Sequence, residues 1–125
     1  MTDRDARTIL LVDWPSRDVP DSLARAGWSV TSQEGPDTYA AYEVVGDDVE
    51  RRIVDQPADV DAVYIYRPLD ELSELVEFAE QLGARTIWWE TSPDSTSPQA
   101  DARAREMVEG SGLEFHAGRP LGSAS

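Results

Sequence analysis

Ala62-Val63-Tyr64-Ile65-Tyr66-Arg67-Pro68 is a short apolar run that stops at an arginine and a proline. Thr86-Ile87-Trp88-Trp89-Glu90 is a second such run, closed by a carboxylate. Between them Leu69, Leu72, Val76, Ala79 and Leu82 recur at helical spacing, Leu75 broadens their face, and Gly83 terminates it. Asp70, Glu71 and Glu74 put negative charge in the first turns, where the helix dipole favours it. Strand, helix and strand make one βαβ unit with a right-handed crossover. Ligands of open α/β sheets bind beyond the carboxyl ends of the strands. Arg67, Pro68 and Glu90 are therefore expected on the ligand-facing rim.

The flanking segments repeat the pattern. Thr8-Ile9-Leu10-Leu11-Val12 fits a buried parallel strand, and Asp13 ends it. Asp18 or Ser16 can cap the next helix, Pro20 falls in its first turn, Val19, Leu23 and Ala26 can face the sheet, and Gly27 stops it. Trp28-Ser29-Val30-Thr31 reads as a second strand. Residues 33–59 are less patterned: a short strand is expected near the end of 39–46, and Val49 and Ile53, four apart, suggest a helical turn or two over 47–54. Residues 91–98 are rich in Ser, Thr and Pro and read as a loop, with Ser97-Pro98 as cap and first helical position. Ala100, Ala104, Met107 and Val108 give the following helix its buried face, Gly110 and Gly112 end it, and Leu113–Ala117 is the last strand. The tail beyond Pro120 is expected to fray. Alternating strands and helices imply an α/β fold: a Rossmann-like three-layer domain with a mostly parallel sheet over residues 1–125, its core spanning about 8–120 between tails 1–7 and 121–125.

Composition narrows the function. The 125 residues contain no cysteine, which excludes disulfides, thiolate metal sites and a cysteine nucleophile. No apolar stretch approaches a membrane span and no secretory signal is evident, so a soluble, cytoplasmic protein is expected. The formal net charge of −14 disfavours nucleic acid and anionic membrane partners. Every one of the 11 basic residues is arginine, which reflects either GC-rich coding or a salt-adapted acidic surface. Any phosphate-bearing ligand must rely on local arginines and helix N-termini.

These segments resemble the small single-domain CoA-binding proteins, which are related to the CoA-binding domain of succinyl-CoA synthetase. The similarity runs from about Thr8 to Pro120. Its strongest part is Val60-Asp61-Ala62-Val63-Tyr64-Ile65-Tyr66-Arg67-Pro68, like the family's "VD-apolar strand-R" segment. Leu82-Gly83-Ala84-Arg85 and Ile87-Trp88-Trp89-Glu90 are similar to its "GAK-x-x-W-x-Q" pattern, and Gly112-Leu113-Glu114-Phe115 to its last "AGL" strand. Pro15-Ser16, Val19, Leu23 and Gly27-Trp28-Ser29-Val30 resemble "RPS…V…L…GY-x-V". The resemblance implies a Rossmann-like fold and a CoA, acyl-CoA or related adenine nucleotide ligand. It implies adenine and phosphates near Asp13, Trp14, Pro15, Ser16 and Arg17, near Arg67 and Pro68, and near Glu90 and Ser92, with Arg119 after the last strand. The family's first loop carries a glycine; here Val12 is followed by Asp13-Trp14-Pro15-Ser16, a shorter loop with a carboxylate near the phosphates. An unpaired like charge there opposes phosphate binding, and Trp14 could stack on an adenine or plug the site.

Each candidate also has an ordinary structural reading. Arg67 is a phosphate fork, or a rim arginine paired with Asp13 or Glu90. Arg17 and Arg119 could meet a phosphate or be solvated. Asp13, Glu90 and the single histidine, His116, could do acid–base chemistry if they converge; caps, ion pairs and an ordinary strand histidine account for them otherwise. Trp88 and Trp89 place one indole on each sheet face, and Tyr64 and Tyr66 share a face. The leading expectation is non-catalytic, regulatory nucleotide binding without a metal. The alternatives are a degenerate relative acting as a protein interaction module and a small hydrolase or transferase.

Overall fold

The computed structural model describes residues 8–14, 18–35, 37–57, 59–90 and 97–117. The elements are β1 (Thr8–Val12), α1 (Asp18–Arg25), β2 (Ser29–Gln33), β3 (Tyr39–Val45), β4 (Asp48–Val54), β5 (Ala62–Tyr66), α2 (Leu69–Gln81), β6 (Thr86–Glu90), α3 (Pro98–Gly110) and β7 (Glu114–Ala117). The strands form a sheet in the order β4-β3-β2-β1-β5-β6-β7. β2, β1, β5, β6 and β7 run parallel, while β3 and β4 are a hairpin added antiparallel to β2. This is an α/β, Rossmann-like layered fold with a mostly parallel sheet.

Alternating side chains along each strand divide the core in two. Ile9, Leu11, Val30, Ala62 and Tyr64 face α1, where Val19 and Leu23 are buried against them. Leu10, Val12, Val63, Ile65, Ile87 and Trp89 face the other way, under Leu72, Val76 and Ala79 of α2 and Ala104 and Val108 of α3. Each large apolar side chain buried this way contributes about 1.5–3 kcal/mol. Trp89 belongs to the α2/α3 layer, and Trp88 lies on the opposite face, half-buried and stacked on His116 with ring centroids 4.4 Å apart.

Local signals end the elements as expected. Ser97 Oγ accepts the Ala100 N–H at 3.0 Å, and Pro98 opens α3. Gly83 follows α2 with φ +79, a left-handed conformation that favours glycine. The helix cap at Ser16 and the frayed tail after Pro120 concern residues outside those described.

One segment corrects the sequence reading. Residues 47–54 are not helical; β4 spans Asp48–Val54 and pairs with all of β3, with Val45 opposite Asp48. Val49 and Ile53 share a face in either geometry, because a spacing of four is close to a helical turn and also an even number of strand steps. The decisive signal is Gly46-Asp47, a two-residue hairpin loop with glycine at its first position, at φ +65. β4 ends the sheet with Asp48, Glu50, Arg51 and Arg52 exposed, charges that discourage pairing by another chain.

Candidate functional site

The chain leaves β1 through α1 to β2 on one side, then crosses back to β5 on the other side of β1. α1 covers one face of the sheet, and α2 and α3 cover the other. The reversal between β1 and β5 is the topological switch point, where a crevice opens beyond the carboxyl ends of the strands. A cleft of about 760 Å³ lies there. Val12, Asp13 and Trp14 contribute from the end of β1, Gln33, Glu34 and Gly35 from the end of β2, and Arg67, Glu71 and Leu75 from the turn after β5 and from α2.

Arg67 is fixed from behind and from both sides. The Trp89 indole N–H donates to the Arg67 carbonyl at 3.0 Å, so the buried core of β6 holds the turn out of β5. Pro68 follows at the N-cap of α2 in extended geometry, exposed beside the cleft. The guanidinium donates through Nε and Nη2 to both oxygens of Glu71, at 2.9 and 2.8 Å, and through Nη1 to Asp13 Oδ2 at 2.9 Å. Glu71 first and Asp13 second hold the Arg67 pKa above its ordinary value, and Arg67 in turn lowers that of Glu71. All three side chains remain about two-fifths exposed, so water screens these pairs and leaves them open to exchange.

Asp13 is the one described non-glycine residue at positive φ, +69, directly after β1. Its Oδ1 accepts the Trp14 N–H at 2.9 Å while Oδ2 takes Arg67. Aspartate tolerates this conformation better than most residues because its short side chain bonds locally. A backbone N–H and a guanidinium are the donors a phosphate would use at a first βα turn; here a resident carboxylate takes both. Trp14 is half-buried, lines the cleft and packs against the α1-side cluster that also includes Tyr66 and Trp88.

A second network sits at the end of β2. Glu34 Oε2 accepts Ser32 Oγ at 2.5 Å and Tyr42 Oη at 3.2 Å, and Oε1 accepts Arg51 Nη2 at 2.9 Å. Hydrogen bonding from Arg51 lowers the Glu34 pKa most; burial opposes it, and Ser32 and Tyr42 reinforce it. Burial is the main reason that the Tyr42 phenol is pushed up.

Of the sequence candidates, Asp13, Trp14 and Arg67 meet in the cleft, with Pro68 adjoining. Glu90 ends β6, two strand spacings or about 10 Å from β1, and accepts the Tyr64 hydroxyl. His116 lies on β7, about 14 Å from β1 across the sheet, stacked on Trp88 with Nε2 3.0 Å from Glu114. Asp13, Glu90 and His116 therefore form no catalytic constellation. Pro15, Ser16, Arg17, Ser92 and Arg119 fall outside the described residues. Sequence reasoning missed Glu71, read only as a complement to the helix dipole, and Glu34. The signal for Glu34 was an acid directly after the second strand of a βαβ unit, where dinucleotide folds bind ribose.

The CoA-binding domain family matches residues 12–119. The chain belongs to this family. Among curated proteins no sequence matches it. A crystal structure of Prb, described as PH1109 protein redesigned for binding, is similar with 22% identity and a TM-score of 0.56, covering 92% of this chain and 78% of that one. A crystal structure of an uncharacterized protein is similar with 16% identity and a TM-score of 0.51, covering 90% and 88%. Both likenesses establish the fold.

The cleft is large enough for a small-molecule ligand. Ligand pockets of small molecules run about 300–1,000 Å³, and Val12, Trp14 and Leu75 offer apolar surface for a base. Among the described residues Arg67 is the cation lining it, and an anion bound there would take Arg67 from Asp13 or Glu71. Among the described residues no group of His, Cys, Asp or Glu is arranged to hold a metal ion, and no helix is long and apolar enough to cross a membrane.

Proposed function

We propose that the protein is a non-catalytic binder of CoA, acyl-CoA or a related adenine nucleotide, held at the switch point with its diphosphate at Arg67. The observation that carries this reading is Arg67 itself, a guanidinium anchored by Trp89 at the mouth of the cleft and paired only through solvent-screened contacts. A diphosphate offers the same bidentate geometry that Glu71 now fills, with more than one negative charge. The titratable cleft groups are engaged in ion pairs and hydrogen bonds, and the histidine is three strands away, which favours binding over turnover. A switchable exchange of Arg67 between carboxylate and ligand fits a regulatory role.

The test is thermal unfolding with CoA, acetyl-CoA, ATP and NAD. Ligand at about 100 times its dissociation constant adds about 2.7 kcal/mol of stability, a shift of several degrees. A shift that disappears in Arg67→Ala supports the reading. No shift with any ligand, from a folded sample, supports the second reading, an interaction module that has lost its nucleotide. The Asp13–Arg67 contact is the observation that favours that reading, since it occupies the phosphate donors.

A further inference from the structure

The end of β2 is where dinucleotide folds recognise ribose: a carboxylate there accepts from the 2′-hydroxyl, next to the 3′ position on the same ring edge, and an arginine nearby accommodates a 2′-phosphate. Glu34 stands at this place, one residue beyond β2, and lines the cleft together with Gln33 and Gly35. Resting on the nucleotide reading above, we propose that Glu34 selects a nucleotide whose ribose hydroxyls are unphosphorylated, so the cleft takes 3′-dephospho-CoA or a similar unphosphorylated-ribose nucleotide in preference to CoA.

Three observations converge. The first is valence. A carboxylate offers about four acceptor positions, and Ser32, Tyr42 and Arg51 fill three: two on Oε2 and one on Oε1. One position on Oε1 remains for a ligand hydroxyl. The second is orientation. Glu34 lines the cleft and Arg51 does not. Arg51 is engaged at 2.9 Å from the direction of β4, so the surface offered to a ribose is carboxylate rather than guanidinium. The third is rigidity. Ser32 is fully buried, its hydroxyl grips Glu34, and the Glu34 side chain is only 21% exposed. The carboxylate cannot swing away from an incoming phosphate at little cost.

Charge sharpens the selection. Among the described residues the cleft is lined by Asp13, Glu34 and Glu71 against Arg67 alone. A diphosphate already requires Arg67. A 3′-phosphate would bring a further anion, close to two unit charges, against an ionised carboxylate in a partly dry pocket, and among the described residues no second guanidinium lines the cleft to receive it. A free 3′-hydroxyl meets the same carboxylate as a donor. One group is repelled where the other is bonded.

The experiment is calorimetric titration of the full chain with CoA and with 3′-dephospho-CoA, repeated on Glu34→Gln. The expected result is a preference of about tenfold or more for 3′-dephospho-CoA in the wild type, collapsing towards equal affinity in Glu34→Gln. CoA binding as tightly as or more tightly than 3′-dephospho-CoA overturns the inference and leaves the nucleotide reading standing. A preference that survives unchanged in a folded Glu34→Gln protein overturns the role of Glu34. Failure to bind either compound overturns this inference, and failure of ATP and NAD as well overturns the nucleotide reading with it. If the variant does not fold, the wild-type ratio alone decides.

Discussion

The two charged networks at the rim have opposite construction. After β5, one cation is shared by two carboxylates: Arg67 between Asp13 and Glu71, all substantially exposed. After β2, one carboxylate is shared by three donors: Glu34 between Ser32, Tyr42 and Arg51, and less exposed. The first arrangement lets a cation be handed to an incoming anion, because each exposed pair is worth only about 0–1 kcal/mol. The second keeps a carboxylate charged and in place, because three donors converge on it and one of them, the Ser32 hydroxyl, is fully buried. One end of the cleft is built to change partners, the other to keep them.

The contrast is broken most directly by Arg67→Ala. Loss of the Arg67 guanidinium should weaken nucleotide binding about 100-fold, in the range of a severed charge-assisted contact, while the unfolding temperature moves little. Calorimetric titration beside a thermal melt checks both. A large fall in stability with unchanged affinity would mean that Arg67 is structural after all.

Glu34→Gln should behave the other way. The amide keeps an acceptor but loses the charge opposite Arg51, and about 1 kcal/mol of stability should go with it, roughly 3–5 °C for a domain of this size. Its pH dependence follows from the lowered pKa. The unfolded carboxyl titrates near the ordinary value of 4.5, and the folded one below it. The stabilisation is therefore complete above the unfolded value and is lost as the pH falls through the folded one. The gap in stability between wild type and Glu34→Gln should stay constant from neutral pH down to about 5.5 and close on further acidification. Denaturant titrations across that range test it, and a gap that widens in acid would contradict the assignment.

How much of this is legible in the sequence differs between the same two regions. The β5–α2–β6 unit reads directly, because its apolar runs are short, its helix strictly periodic and its punctuation strong at Arg67-Pro68 and Gly83. Arg67 and Asp13 fall on one rim because strand ends are fixed by such runs, and their pairing is one of the partnerships that placement suggests. The partnership with Glu71 is hidden by an equally good local explanation, the helix dipole. The hairpin does not read the same way. A spacing of four fits both helix and strand, and β4 buries so little that no alternation shows. Glu34 is lost with it, since its partners Tyr42 and Arg51 lie on β3 and β4 and only the correct pairing brings them to it.

The smallest expected effect is also the most discriminating. Asp13 holds a positive φ that suits glycine, asparagine and aspartate, and its carboxylate takes the Trp14 N–H and Arg67. Asp13→Asn keeps the conformation and the local bond but removes the negative charge at the end of β1. If Asp13 is a resident anion competing with the ligand, the variant should bind the nucleotide several-fold more tightly, with stability changed by no more than about 0.5 kcal/mol, as befits an exposed pair. The gain should shrink as salt is raised, because the competing charge is screened within about a Debye length. Asp13→Gly should show the same gain and confirm that charge, not the amide, is responsible. An affinity that falls in both variants would reverse the argument: Asp13 would then be orienting Arg67 for the ligand, and the exposed network would hold its geometry as firmly as the one around Glu34.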